Sequence, residues 1–234
     1  MRVLAVAAHP DDLELLCGGT LARLAAEGHA VTMCNVCAGD RGSFVHSSEE
    51  IRAIRLQEAR RAAEIGGAAH VSLGIPDGEA DGSDPEQRWL VIDLIRRTRP
   101  QLVLTHAEGD YMRDHNEVSR LVVDASFTAT LPLLETDAPH HDEVAAVYHF
   151  DTVAGVGFSP TEYVDVSDHI ETKLAMLGAH DSQLSWLREH DGVDIVEQAR
   201  IASAYRGFQS GVAYAEGFAP CRTWLRNRTV RLLP

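Results

Sequence analysis

The sequence predicts a doubly wound α/β fold, a mostly parallel sheet with helices on both faces. Three observations predict it. Short β-branched apolar runs recur along the chain, longer helical patterns fall between them, and the runs are continuous rather than alternating. Continuous apolar strands are those buried on both faces, and their alternation with helices is the mark of crossover-connected parallel strands.

The elements follow in order. Strands are expected at 2–8, 30–36, 70–73, 101–105, 145–150 and 161–166, and helices at 13–27, 48–65, 85–97, 115–127, 168–184 and 194–206. The first run, Val3-Leu4-Ala5-Val6-Ala7-Ala8, leads into charged residues with no cleavage-site context, so it reads as a buried strand rather than an export signal. Gly28 can stop the first helix, Ser47-Ser48 can cap the second, and Pro100 follows the third. The loops 38–47 and 74–84 are rich in Gly and Asp and long enough to suggest function. The apolar stretch 120–134, ended near Pro132, reads as core or subunit contact.

With 234 residues and neither linker nor repeat, the expectation is one domain spanning 1–234. Lys and Arg number 21 against 35 Asp and Glu, a net charge of −14, which argues against nucleic acid or an anionic membrane surface as partner. No apolar stretch approaches the roughly 18 residues of a membrane span. Four cysteines in so long a chain are no disulfide framework, and the cytoplasm is the expected compartment. Twelve histidines are the unusual figure.

In a doubly wound sheet the ligand sits beyond the carboxyl ends of the strands. A dinucleotide would need G-x-G-x-x-G after the first strand, but the chain has Ala8-His9-Pro10-Asp11-Asp12-Leu13-Glu14, whose paired carboxylates would repel a phosphate. A second cluster follows strand 101–105, in Thr105-His106 and Asp110-Tyr111-Met112-Arg113-Asp114-His115. Two such strand ends converge on one crevice. His9, Asp12 and His115 then offer two imidazoles and a carboxylate, a set that suits Zn²⁺ with an open position. The same set also describes the facial triad of non-haem Fe(II) enzymes, so Fe²⁺ stays open. Asp11, beside a ligand, is placed to take a proton from water.

These residues resemble the LmbE-like or PIG-L N-acetylglucosaminyl deacetylases. Ala8-His9-Pro10-Asp11-Asp12 looks like that family's opening A-H-P-D-D, followed by Gly18-Gly19-Thr20-Leu21. Arg55-Leu56-Gln57-Glu58 is similar to its R-x-x-E helix, Pro76-Asp77-Gly78 to a loop after its third strand, and Asp114-His115 to its D-H pair. Lys173, His180, Ser182 and Gln183 look like its K-x₆-H-x-S-Q, with Glu216 and Phe218 its terminal E-x-F.

The resemblance implies a Rossmann-like, zinc-dependent amidase that takes an acetyl group from a small amino-sugar substrate, often as a homo-oligomer. It implies His9, Asp12 and His115 as metal ligands and Asp11 as general base, later the acid toward the leaving amine. Asp114 would orient a ligand, and Arg55 and Asp77 would hold sugar hydroxyls. One departure stands out. Many relatives have H-P-D-H, whose first histidine stabilises the oxyanion, where this chain has Met112-Arg113-Asp114-His115. Methionine cannot donate a hydrogen bond, so Tyr111, His106, Arg113 or another histidine would have to. Two other readings stay in play: an amidase for a larger acyl group or an S-conjugate, and a sugar-binding protein that keeps the metal.

Other features carry less. Cys34 and Cys37 lie in a strand, where i and i+3 face opposite sides, so they are expected as core thiols rather than a metal pair. Gly39-Asp40-Arg41-Gly42-Ser43 is a candidate substrate loop. His140-His141 reads as solvated loop, and His180 as a packing or capping histidine or one reaching the crevice. Asn227-Arg228-Thr229 has the form of a glycosylation sequon and means nothing in a cytoplasmic protein.

Overall fold

A computed structural model describes all residues except 225 and 227–229, so the sequon lies outside the described residues. The order of elements is β1 (Arg2–Ala7), α1 (Asp12–Ala26), β2 (Ala30–Cys37), α2 (Ser48–Ile65), β3 (Ala69–Ile75), α3 (Pro85–Thr98), β4 (Leu102–His106), α4 (Arg113–Thr128) and β5 (Ala146–Phe150). Then follow β6 (Glu162–Asp165), α5 (Ile170–Gly178), α6 (Asp181–His190), α7 (Ile195–Ser210) and β7 (Ala215–Pro220).

Strand order in the seven-stranded sheet is β3-β2-β1-β4-β5-β7-β6. The first five strands are parallel, with Val3 in register with Val31 on one side and Leu102 on the other. The chain runs outward from β1 to β3 and then returns to lay β4 against β1. That reversal opens a crevice at the carboxyl ends of β1 and β4, where the two polar clusters begin.

Alternation along β1 divides the core. Val3, Ala5 and Ala7 bury one face against Leu13, Cys17, Leu21 and Leu24 of α1, while Leu4 and Val6 face Val91, Ile95, Val118 and Val122 of α3 and α4. Helix ends match their sequence signals. Ser47 forms a capping box with Glu50, and Gly28 takes a positive φ of 84° just beyond α1.

Three expectations are corrected. The helix expected over 168–184 is broken between Gly178 and Asp181, because His180 turns inward and is wholly buried, its Nε2 3.2 Å from Glu14 Oε1. Strand β7 is the second, an element the sequence pattern does not predict. Its sequence, Ala-Glu-Gly-Phe-Ala-Pro, has no β-branched residue and carries Gly and Pro, so propensity argues against it. Pairing makes it a strand: it runs antiparallel between β5 and β6.

Glu216 on β7 explains the placement. Its carboxylate accepts the Gly19 and Thr20 amides of α1 at 2.9 and 2.7 Å and the Lys173 Nζ at 2.6 Å, all buried. A side chain on Gly19 would meet Val166 at 2.8 Å, so glycine is what lets the helix come this close. His141 is also buried rather than solvated, its Nε2 2.8 Å from the Pro100 carbonyl.

Candidate active site

The turn after β1 begins with an unusual backbone. Asp11, the residue before α1, has φ 109° and ψ −26°, a left-handed conformation that a side chain makes costly, by about 1–3 kcal/mol. Pro10 precedes it, and the turn folds the Asp12 carboxylate back onto the His9 amide at 2.6 Å. Asn35 on β2 holds the His9 carbonyl at 2.9 Å and is itself met by His70 Nε2 at 2.8 Å. The turn is thus fixed from the neighbouring strands.

Across the crevice, α4 begins at Arg113 and brings His115 in, completely buried. One ligating atom each from His9, Asp12 and His115 lie within 4.8 Å of one another. The ring nitrogens divide their partners. Nε2 of His9 lies 3.0 Å from Asp114 Oδ2, and Nδ1 of His115 lies 3.3 Å from Asp110 Oδ2. The other nitrogen of each ring, Nδ1 of His9 and Nε2 of His115, faces Asp12 at 3.5 and 3.4 Å. Asp114 takes the His9 ring N–H and leaves its inner nitrogen as a lone pair, the arrangement of a metal-bound histidine. Both ring nitrogens of His115 are buried and make no hydrogen bond, the inner one facing Asp12. Such an orphaned nitrogen aimed at a carboxylate is what a cation between them would satisfy. The donor set fits Zn²⁺ and admits Fe²⁺.

The electrostatics agree with a site shaped for positive charge. Burial works against protonated imidazole, yet the Asp12 charge and Asp110 raise the His115 pKa to about 9. Against the same desolvation, Asp114 and Asp12 hold His9 well above its ordinary value. Asp12 is held well below the usual carboxylate range; desolvation opposes this, but the His115 charge and bonds to the histidines outweigh it. Asp11 behaves oppositely. Burial, and then the neighbouring Asp12 charge, push its carboxyl up to about 7.

A cavity of about 700 Å³ opens on this cluster, bordered at its polar end by His9, Asp11, Asp12, Asp77 and Asp114. Asp77 is there, but its oxygens accept the Gly39 and Arg41 amides at 2.8 and 3.3 Å. Arg55 is buried and donates to the Gly42 carbonyl at 2.7 Å, with its Nε unpartnered. Both therefore fasten loop 38–47 beside the cleft. Asp114 also accepts the Gly78 amide at 2.7 Å, which ties the loop after β3 to the same point.

Of the expected substitutes for a histidine at Met112, His106 is buried and already engaged, its Nε2 3.4 Å from Asp12 Oδ2. Its Nε2 accepts the Ala8 amide at 2.9 Å, and its ring stacks on His115 at 4.0 Å. Tyr111 and Arg113 do line the cleft.

Sequence reasoning gave three neighbours no part in the site, although Asp110 lies in the second cluster it singled out. Asp110 steadies His115 and Asn35 steadies His9, but neither has a period or motif to mark it. Cys37, fully buried, also reaches the cluster: its sulfur lies within 4.8 Å of ligating atoms of His9 and Asp114. A bulge between Asn35 and Cys37 spoils the simple strand alternation.

Known proteins share this chain's pattern. The family model for PIG-L, the GlcNAc-PI de-N-acetylases, matches residues 4–126, from β1 to α4. The chain belongs to this family. It is 31% identical over 229 residues to the diacetylchitobiose deacetylase of Thermococcus kodakarensis, covering 92% of this chain and 81% of that one. It is 29% identical to a 1D-myo-inositol 2-acetamido-2-deoxy-alpha-D-glucopyranoside deacetylase of Segniliparus rotundus, covering 80% of this chain and 78% of the relative. Among solved structures, the conserved protein TT1542 of Thermus thermophilus superposes with a TM-score of 0.82 at 33% identity, covering 99% of this chain and 100% of that one. Among the described residues, no helix is long and apolar enough to cross a membrane.

Proposed function

We propose that this enzyme removes the N-acetyl group from an N-acetylglucosamine-bearing small molecule, with Zn²⁺ held by His9, Asp12 and His115. The observation that carries this reading is the pair of inward nitrogens, one from each imidazole, converging on Asp12 at 3.4–3.5 Å beside the buried Asp11. The deacetylase relatives, one acting on diacetylchitobiose and one on an inositol 2-acetamido-2-deoxyglucopyranoside, support the amino-sugar substrate.

When bound, the ion supplies a Lewis acid that polarises the acetyl carbonyl and makes water a better nucleophile near neutral pH. The chain's own residues do the rest. Asp11, on the floor of the cleft, takes a proton from the attacking water on its carboxylate. It returns that proton to the amide nitrogen, so that acetate and the free amine leave. Asp114 holds the outer ring nitrogen of His9 and so fixes which nitrogen it presents, and the Asp110 charge faces the outer nitrogen of His115 at 3.3 Å. Asp77 borders the cleft, where a sugar hydroxyl can reach it, while Arg55 lies behind the wall and acts by holding the Gly42 carbonyl of loop 38–47. The oxyanion that forms needs a donor that Met112 is not. Tyr111 and Arg113 flank Met112 and border the cleft, and they are the residues we assign to that task.

The test is acetate release from N-acetylglucosamine glycosides by protein stripped with a chelator and then reloaded. Release that returns with one equivalent of Zn²⁺ per chain supports the reading. Release unaffected by stripping, or no release from any glycoside by loaded protein, overturns it.

A further inference from the structure

The cavity that holds the candidate metal cluster is chemically two-sided. Its far wall is apolar, built by Leu15, Met112 and Val153 with Trp186, Leu187 and Ile195. Five of these six are only half-buried; Ile195 alone is buried, at 8% exposure. Helix α6, which carries Trp186 and Leu187, has no buried residue at all. A ten-residue helix has little stability of its own and needs an apolar face covered. Here Leu184 and Leu187 reach a small cluster around Ile170, Leu174 and Leu177, and Trp186 is left over the cleft.

Trp186 is nonetheless held in place. Its ring stacks on His190 at 4.5 Å with 19° between planes, and Phe44 of loop 38–47 packs on it at 4.6 Å. A rigid, half-covered indole beside aliphatic side chains is a surface that gains by covering. The charges near it do not favour an ion. Arg113 and Asp191, of opposite sign, both border the cavity, and Arg41 is taken by Glu79. The wall and the cluster of His9, Asp12 and Asp114 line one cavity, so a group joined to the reacting sugar can reach it.

We infer that this wall is an aglycone subsite and that the preferred substrate is an N-acetylglucosaminide with an apolar, alkyl or aryl aglycone. The inference rests on the deacetylase reading above and narrows its substrate. A carboxylated aglycone would place a charge against Trp186 and Leu187, and a polyol would cover the aliphatic part of the wall less well than an alkyl chain.

The experiment is a series of N-acetylglucosaminides with methyl, butyl, hexyl, octyl and phenyl aglycones, kept below micelle-forming concentrations. Inositol and malyl glycosides run beside it. The expected result is kcat/KM rising about two- to fourfold per methylene until the wall is covered, the size of the gain from burying a CH₂. The rise should appear mainly in KM, because the contacts are made equally in ground and transition states. In Trp186→Ala and Leu187→Asn the slope against chain length should flatten. A flat slope in the wild type, or preference for the inositol or malyl glycoside, overturns the inference. If no glycoside is deacetylated, the failure lies with the deacetylase reading. The subsite is then judged by calorimetric titration of zinc-loaded protein with methyl and octyl glucosaminides. Tighter binding of the octyl compound supports it, and equal or absent binding overturns it.

Discussion

The five parallel strands and the antiparallel end of the sheet contribute to one cleft in different ways. The parallel part supplies the chemical groups: His9, Asp11 and Asp12 follow β1 directly, and Asp110, Asp114 and His115 lie in the loop and first helical turn after β4. The β7–β6 end and helices α5–α7 contribute no member of the His9–Asp12–His115 trio. They supply a wall, with Trp186, Leu187 and Ile195, and a lock, with Lys173 and Glu216. The reactive groups sit at two strand ends that the fold class locates, whereas the wall depends on how α6 and α7 pack beside the cleft. The two regions should therefore fail differently when altered.

The sharpest contrast comes from the chemical side. Asp11→Asn should lower turnover by about 10³-fold or more while metal stoichiometry stays near one, since Asn keeps the shape and loses the base. His115→Ala should lose both activity and bound metal. Metal analysis beside steady-state rates separates the two. A fully active Asp11→Asn would remove the division of labour proposed for the neighbouring aspartates.

On the locking side the expected loss is of stability rather than chemistry. Lys173→Met leaves the Glu216 carboxylate buried without its cation, at a cost of about 3–5 kcal/mol. Denaturant unfolding should show it as a lower midpoint with little change in slope. Lys173→Met combined with Glu216→Gln should recover part of the loss, because the stranded charge is gone while one of the Gly19 and Thr20 amides still finds an oxygen.

A smaller effect tests the residues beside Met112. If Tyr111 donates to the oxyanion, Tyr111→Phe lowers kcat by about 10–10²-fold with KM little changed; if Arg113 does, Arg113→Ala carries the loss instead. The smallest is a pH effect in the parallel part. Burial holds the His70 imidazole below its ordinary value, so the unfolded chain takes up the proton more readily than the folded one. Stability present above about pH 6.5 is then lost as pH falls. In His70→Gln, which can still donate to Asn35 and takes up no proton, the melting temperature should fall less between pH 7 and pH 5.5.

The same contrast decides what was legible in the sequence. The parallel strands announced themselves by continuous apolar runs, and the turn and helix starts by Pro10, Ser47 and the acidic first turns. Because the fold class says where strand ends meet, His9, Asp12 and His115 could be brought together on paper from segments about a hundred residues apart. Strand β7 was not legible, since its pairing overrides a composition that argues against a strand. The break at His180 was not legible either, for it depends on Glu14 lying beneath it. Arg55 and Asp77 were found as residues of the site region, but that both grip the backbone of loop 38–47 could be seen only in three dimensions.

The central claim is that Asp11 and the His9–Asp12–His115 cluster together cleave an acetamide on a sugar. The most direct measurement is acetate released per chain from octyl and inositol N-acetylglucosaminides by zinc-loaded wild type and Asp11→Asn, with bound metal quantified in the same samples. The account predicts about one zinc in both proteins, multiple turnovers in the wild type and almost none in the variant. One zinc in both with no acetate from either, or equal turnover in the two, would contradict it.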